Sequence, residues 1–184
     1  MTIVRKFTNQ KGKKVVIRYP RWTDLDELLA FANKLSRENT YVMLSGEVIS
    51  RKQEEKYLRE IIEAIAKKER IHLVATVDGK LAANSGITIF KRRKSHVGEL
   101  NISVTRAYRG EGLGAALLKS LLDEAARHGL RLVVLTTMEN NRRAIHIYEK
   151  AGFRQAGIIP GVYSYHRKFI GEILMYCPLV SVYG

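Results

Sequence analysis

Apolar residues recur at intervals of three and four in "DLDELLAFANKLS" (24–36), where Leu25, Leu28, Leu29, Ala32 and Leu35 share one helical face, with Thr23 expected as the cap. Ser50 and Gln53 have the spacing of a capping box, which predicts a second helix to about Arg70. The stretch 37–49 between them has no helical period and reads as a loop. "VVIRYP" (15–20), "IHLVATV" (71–77), "KLAANSGITIF" (80–90) and "VGELNISV" (97–104) read as strands, with Asp78-Gly79 as a two-residue hairpin turn. A third helix should run from the glycine-rich "RGEGLG" to His128, stopped by Gly129. "LRLVVLTT" (130–137) is apolar enough for a strand buried on both faces, and "NRRAIHIYEKA" (141–151) reads as a short helix ended by Gly152. Two closing strands, about 153–159 and 169–177, are expected to flank a polar loop, "PGVYSYHRK". This order predicts an α/β domain with a mixed sheet and a right-handed strand–helix–strand crossover at its middle.

Composition narrows the class. With 184 residues, 46% of them hydrophobic, the chain can bury one good core, so a single domain over 1–184 is expected. No apolar run approaches the ~20 residues of a membrane span, and the basic N-terminus lacks a signal-like apolar stretch, so the expected location is cytoplasmic. One cysteine, Cys177, and five histidines without shared spacing predict neither an internal disulfide nor a metal site. The 32 Lys+Arg against 18 Asp+Glu leave a net charge of +14, which raises nucleic-acid binding as an alternative. The basic residues are scattered, however, apart from short clusters such as "KRRK" (91–94). A charge-rich surface with one cysteine also suits a heat-adapted protein.

The run "RGEGLGAALLKS" (109–120) raises a chemical question, because glycine weakens helices and three of its kind stand at a helix mouth. The free amides there suit a phosphate; close strand–helix packing is the purely structural reading. A Walker loop is excluded because Leu118 precedes Lys119-Ser120. A dinucleotide fingerprint is excluded because Gly110, Gly112 and Gly114 give G-x-G-x-G, with no acidic residue at the required distance.

Two motifs decide between phosphates. "ELNISVTRAYRGEGLGAALL" (99–118) and "NRRAIHIYEKAGF" (141–153) resemble the GNAT superfamily of N-acetyltransferases. Arg109, Gly112 and Gly114 match its R/Q-x-x-G-x-G/A signature; Asn141, Ala144, Tyr148 and Gly152-Phe153 match its later helix. The resemblance implies a mixed sheet flanked by helices, with a central β-α-β unit that binds acetyl-CoA. It puts the pyrophosphate on the backbone of Arg109, Gly110, Glu111, Gly112, Leu113, Gly114 and Ala115, and the pantetheine along Ile102, Ser103 and Val104. Asn141 and Ala144 belong to the same cofactor set by their place in the motif, Asn141 as a hydrogen-bonding partner of the pantetheine arm. Arg142 and Arg143 could reach the outer phosphates, a solvated helix start being the other reading for at least one of them.

Acyl transfer to an amine needs a neutral amine and a protonated leaving thiolate. At pH 7 a lysine-like amine costs about 4.6 kcal/mol to deprotonate and an α-amine near 8 only about 1.4. Tyr148, seven residues after Asn141 and so on the same helical face, is the expected acid; outside the motif it would read as a core tyrosine. Glu99, alternating with Asn101 and Ser103 on one strand face, is the expected base, a structural acceptor being its other reading. The glutamate some relatives carry five residues before the Asn is replaced by Thr136. Tyr163, Tyr165 and His166 could overhang the acceptor, and Glu38, Glu47, Glu99 and Glu172 could make an acidic pocket for it. The expected partners are acetyl-CoA and an amine, small molecule or protein, with a homodimer compatible and no membrane. The rival readings are a nucleic-acid module and a CoA-sensing module without catalysis.

Overall fold

The computed structural model describes residues 2–38, 41, 46–165 and 167–180. Its strands are β1 (Ile3–Thr8), β2 (Lys14–Arg18), β3 (Arg70–Val77), β4 (Lys80–Ile89), β5 (Val97–Val104), β6 (Leu132–Met138), β7 (Arg154–Tyr165) and β8 (Lys168–Pro178). Its helices are α1 (Leu25–Glu38), α2 (Arg51–Ala66), α3 (Leu113–Arg127) and α4 (Arg142–Lys150). The eight strands form one sheet in the order β1-β2-β3-β4-β5-β6-β8-β7. Only β5 and β6, the pair joined through α3, run parallel, because a parallel neighbour needs a crossover long enough to bring the chain back.

Strand alternation divides the core. Ile71, Leu73 and Ala75 of β3 join Leu117, Leu118 and Leu121 of α3, whereas Val74 joins Leu25, Leu28 and Leu58 of α1 and α2. Successive side chains of a strand point to opposite faces, so α3 covers one face of the sheet and α1 with α2 the other. That double cover is why β3 is apolar almost throughout. Each fully buried Leu contributes roughly 1.5–3 kcal/mol.

Several local expectations need correction. The N-terminal residues form an unforeseen edge strand, β1, paired antiparallel with β2. The second helix ends at Ala66, not Arg70, because Lys68 turns left-handed (φ 56°) and Glu69 leads into β3. A short 3-10 turn (Trp22–Asp24) precedes α1, and the Asp24 carboxylate, not the Thr23 hydroxyl, accepts from the Arg21 amide at 2.8 Å. Asp24 also takes both ends of the buried Arg18 guanidinium, at 2.6 and 2.8 Å. The supposed polar loop "PGVYSYHRK" instead extends β7 and β8 into a long hairpin, with an irregular register between Ile159 and Tyr163 around Pro160. Proline is tolerated there because β7 is the sheet's edge. The Asp78-Gly79 hairpin is present, with φ of 49° and 82° at its two turn residues.

No helix among the described residues is long and apolar enough to cross a membrane, and none of their His, Cys, Asp and Glu residues form a metal-holding group.

Candidate functional site

The parallel pairing of β5 with β6 extends over three residues only: Val97 with Leu132, Gly98 with Val133 and Glu99 with Val134. Beyond Glu99, β5 stays with β4 as far as Val104–Ala83, and β6 stays with β8 as far as Met138–Glu172. The strands diverge and leave a cleft of about 820 Å³ between them. Its walls carry Glu99 to Val104 from β5, Thr136 to Met138 from β6, and Asn141, Ala144 and Tyr148 from α4.

One end is built for an anion. Gly110 and Gly112 have φ of 89° and 77°, a region that disfavours side chains, and Gly112 caps α3. The first α3 amides, from Leu113, Gly114 and Ala115, lack partners within the helix, whose first internal closure is Ala116 N–H to the Gly112 carbonyl at 3.0 Å. A Cβ on Gly112 would stand in open space, whereas one on Gly110 would come within 2.9 Å of the Arg143 guanidinium. A diphosphate fits this cradle: partnerless amides, the positive end of a helix and a cation beside them.

The side chains of the run face elsewhere. Arg109 donates through Nε to the Val104 carbonyl at 2.8 Å and through Nη2 to Glu38 at 2.5 Å, and its own amide already pairs with Arg106. The cradle therefore starts at Gly110, and Arg109 braces the end of β5. Glu111 is 5% exposed and turns away to Asn9 and Lys11, both at 2.8 Å. Lys11 first, and Asn9 with it, holds that carboxyl below the usual range despite its burial. Asn141 also supports the fold: its carbonyl oxygen caps α4 at the Ala144 amide (3.4 Å) and its nitrogen donates to Thr137 Oγ1 (3.3 Å), which leaves one N–H and one lone pair on a side chain that lines the cleft.

At the middle of the cleft stands Tyr148, 8% exposed and packed on Phe153 with ring centroids 5.7 Å apart. Burial pushes its phenol up to about 12, with no charged neighbour contributing. Glu99 is solvent-exposed on the opposite wall.

The far end gathers residues that sequence reasoning only grazed. Tyr163 donates to Glu172 across the β7–β8 hairpin, and burial followed by that bond raises its phenol. Thr88, Thr136, Leu35 and Tyr41 complete this end, and Tyr41 stacks on Tyr165 with centroids 5.7 Å apart. Of the four glutamates expected to form an acidic pocket, Glu99 and Glu172 line the cleft. Glu38 is engaged by Arg109 and by the Arg106 amide, and Glu47 is not in the lining. His166 lies outside the described residues. The signal for Tyr163 and Glu172 was their place beside the closing strand, and only the hairpin register brings them together.

The sequence model of the Acetyltransferase (GNAT) family matches residues 28–153. A solved acetyltransferase of the GNAT family from Streptococcus pneumoniae is 31% identical, with a TM-score of 0.80 over 89% of this chain and 98% of that one. A putative acetyltransferase from Salmonella typhimurium, solved with acetyl-CoA, has a TM-score of 0.79 at 19% identity, covering 92% and 96% of the two chains. An N-alpha-acetyltransferase of Sulfurisphaera tokodaii is 26% identical over 84% of this chain and 89% of its own length. The chain spans 58% and 39% of the lengths of the first two curated relatives it matches.

Proposed function

We propose, for a chain that belongs to the GNAT family of acetyltransferases, that it moves an acetyl group to a primary amine by direct attack within a ternary complex. Acetyl-CoA is the co-substrate. Residues 1–184 act as one catalytic domain in this reading. What carries it is the convergence of the glycine-bounded amides, Tyr148 and Glu99 on one gap between β5 and β6.

Bound acetyl-CoA supplies an electrophilic thioester carbon and a sulfur leaving group. The amides of Gly110 to Ala115 hold its diphosphate, Arg143 adds charge beside them, and the β5 edge from Ile102 to Val104, which no longer pairs with β6, aligns its pantetheine. Arg109 braces the end of β5, and Asn141, which lines the cleft, is the hydrogen-bonding partner of the pantetheine arm. Glu99 takes the proton that the attacking amine loses, and Tyr148 gives its own proton to the departing sulfur. The new C–N bond replaces the C–S bond, and the proton held by Glu99 returns to Tyr148 through solvent, so both residues regain their starting states without a further reactant. Burial keeps the Tyr148 phenol protonated at neutral pH, the state a donor needs, while making it a weaker acid than a free phenol; its place on the cleft wall is what supports it as donor. The α-amine is the acceptor needing least help from a base, in keeping with the Sulfurisphaera tokodaii relative.

The test is CoA release across a panel of amines, with calorimetry of CoA binding alongside. Wild type should turn over at least one amine. Folded Gly112→Glu, which adds bulk and negative charge at the cradle, should lose CoA binding. Unchanged CoA affinity in that variant would remove the phosphate assignment.

A further inference from the structure

The chain carries 32 Lys and Arg, yet its cleft is strongly polarised. Among the described lining residues the cations are Arg109 and Arg143. Arg109 is committed to the Val104 carbonyl and to Glu38, and Arg143 stands against Gly110 in the anion cradle. The opposite end presents two carboxylates, Glu99 and Glu172, among Thr88, Thr136, Tyr41 and Tyr163. The Arg167 and Lys168 side chains at the hairpin tip are exposed and outside the lining.

From this asymmetry we infer that the acceptor is an amine with no carboxylate or other anion beside it: an amine on an amide-capped or alkyl carbon, not a free amino acid. The inference rests on the acetyltransferase reading above. An ammonium is drawn to the acidic end, sheds one proton to solvent there, and attacks as the neutral amine, with Glu99 taking the proton it then loses. A free amino acid would bring its carboxylate within one carbon of the same nitrogen, against Glu99 and Glu172, with no guanidinium to receive it. Like charges a few ångströms apart in a partly desolvated cleft repel by well over the thermal energy. The Tyr163 hydroxyl, already donated to Glu172, is not free to hold a second carboxylate.

The experiment compares kcat/KM of the full chain for butylamine, alanine, alaninamide and a short peptide with a free N-terminus. The alanine amine is less basic than that of butylamine and so easier to deprotonate, which means that a deficit with alanine reports the carboxylate and not the ease of deprotonation. Butylamine and alaninamide should both be acetylated, and alanine should fall below butylamine by ~10-fold or more. Glu172→Gln should narrow that gap by relieving part of the repulsion. Peptide turnover above butylamine would assign the predicted chemistry to polypeptide N-termini, and the reverse order to small amines. Alanine turned over as well as butylamine would overturn the inference while leaving the acetyltransferase reading intact. No CoA release with any amine, in a protein that binds CoA, would overturn the reading and the inference together.

Discussion

Tyr148 is fixed by its helix and by Phe153, with only its edge open to the cleft. Its burial separates two roles that the residue type alone does not. A phenol raised to about 12 is a poor base at neutral pH and a permanently loaded donor. No limb of the pH–rate profile should therefore arise from Tyr148 losing its proton until the pH nears 12. Tyr148→Phe removes one hydroxyl and little volume; CoA affinity should persist while the single-turnover rate falls ~10²–10⁴-fold. Glu99→Gln should slow an amine of pKa ~10 more than an α-amine near 8, since less of the former is neutral without a base. Wild-type rates in folded Tyr148→Phe would reduce Tyr148 to a packing residue. The place of both residues on the cleft wall was readable in the sequence because each sits in a contiguous stretch whose period assigns it to a face, while the roles given to them rest on the family motif. Tyr163 and Glu172 were not readable as a pair. Their meeting depends on a cross-strand register nine residues apart in sequence, through a segment whose Pro, Gly and His mimic a loop.

Among the elements, the β1–β2 hairpin does more than widen the sheet. Its turn closes with the Asn9 side chain accepting from the Lys11 and Lys13 amides at 3.0 and 2.9 Å, which aims Asn9 Nδ2 and Lys11 Nζ at Glu111. An acidic residue inside the phosphate cradle proposed above would be a liability unless its charge were matched and turned away, and this hairpin does both. Lys11→Met should weaken CoA binding several-fold, a modest loss because Lys11 is largely exposed and salt screens it. Adding Glu111→Gln should restore the affinity, since the uncompensated charge is then gone. A double variant as weak as Lys11→Met would mean that Lys11 touches phosphate directly; the cycle is read by calorimetry. β1 escaped sequence reasoning for the same reason it can act this way. On an open edge "IVRKFT" buries little, so its side chains carry no clean alternation. The helices and inner strands were legible because both faces of the sheet are covered, and their ends were missed where a non-glycine residue such as Lys68 makes the left-handed turn.

For the whole molecule, net charge is a poor guide to function. The "KRRK" cluster is an exposed turn between β4 and β5, with Lys91 paired to Glu69 at 2.8 Å and Lys94 over Phe90. It is absent from the cleft lining. Replacing all four residues with serine should leave acetyl-CoA turnover nearly unchanged; a large accompanying loss of specific RNA or DNA binding would revive the nucleic-acid reading. The β5–β6 junction has a different consequence. Among the described residues, a short ladder of three pairs, extended by the His96 carbonyl accepting from the Arg131 and Leu132 amides, zips one half of the sheet, the antiparallel meander of β1 to β5, to the other half of β6 to β8. A long ligand laid in that notch acts as a suture, bonding to both banks where the zipper has run out. Because such a ligand binds the closed halves and not the separated ones, the melting temperature should climb with CoA concentration, by the equivalent of about 2.7 kcal/mol at a hundred times Kd. Amide exchange should slow most along residues 100–104 and 135–138, on the two sides of the seam, and a rise in melting temperature with no protection there would locate the suture elsewhere.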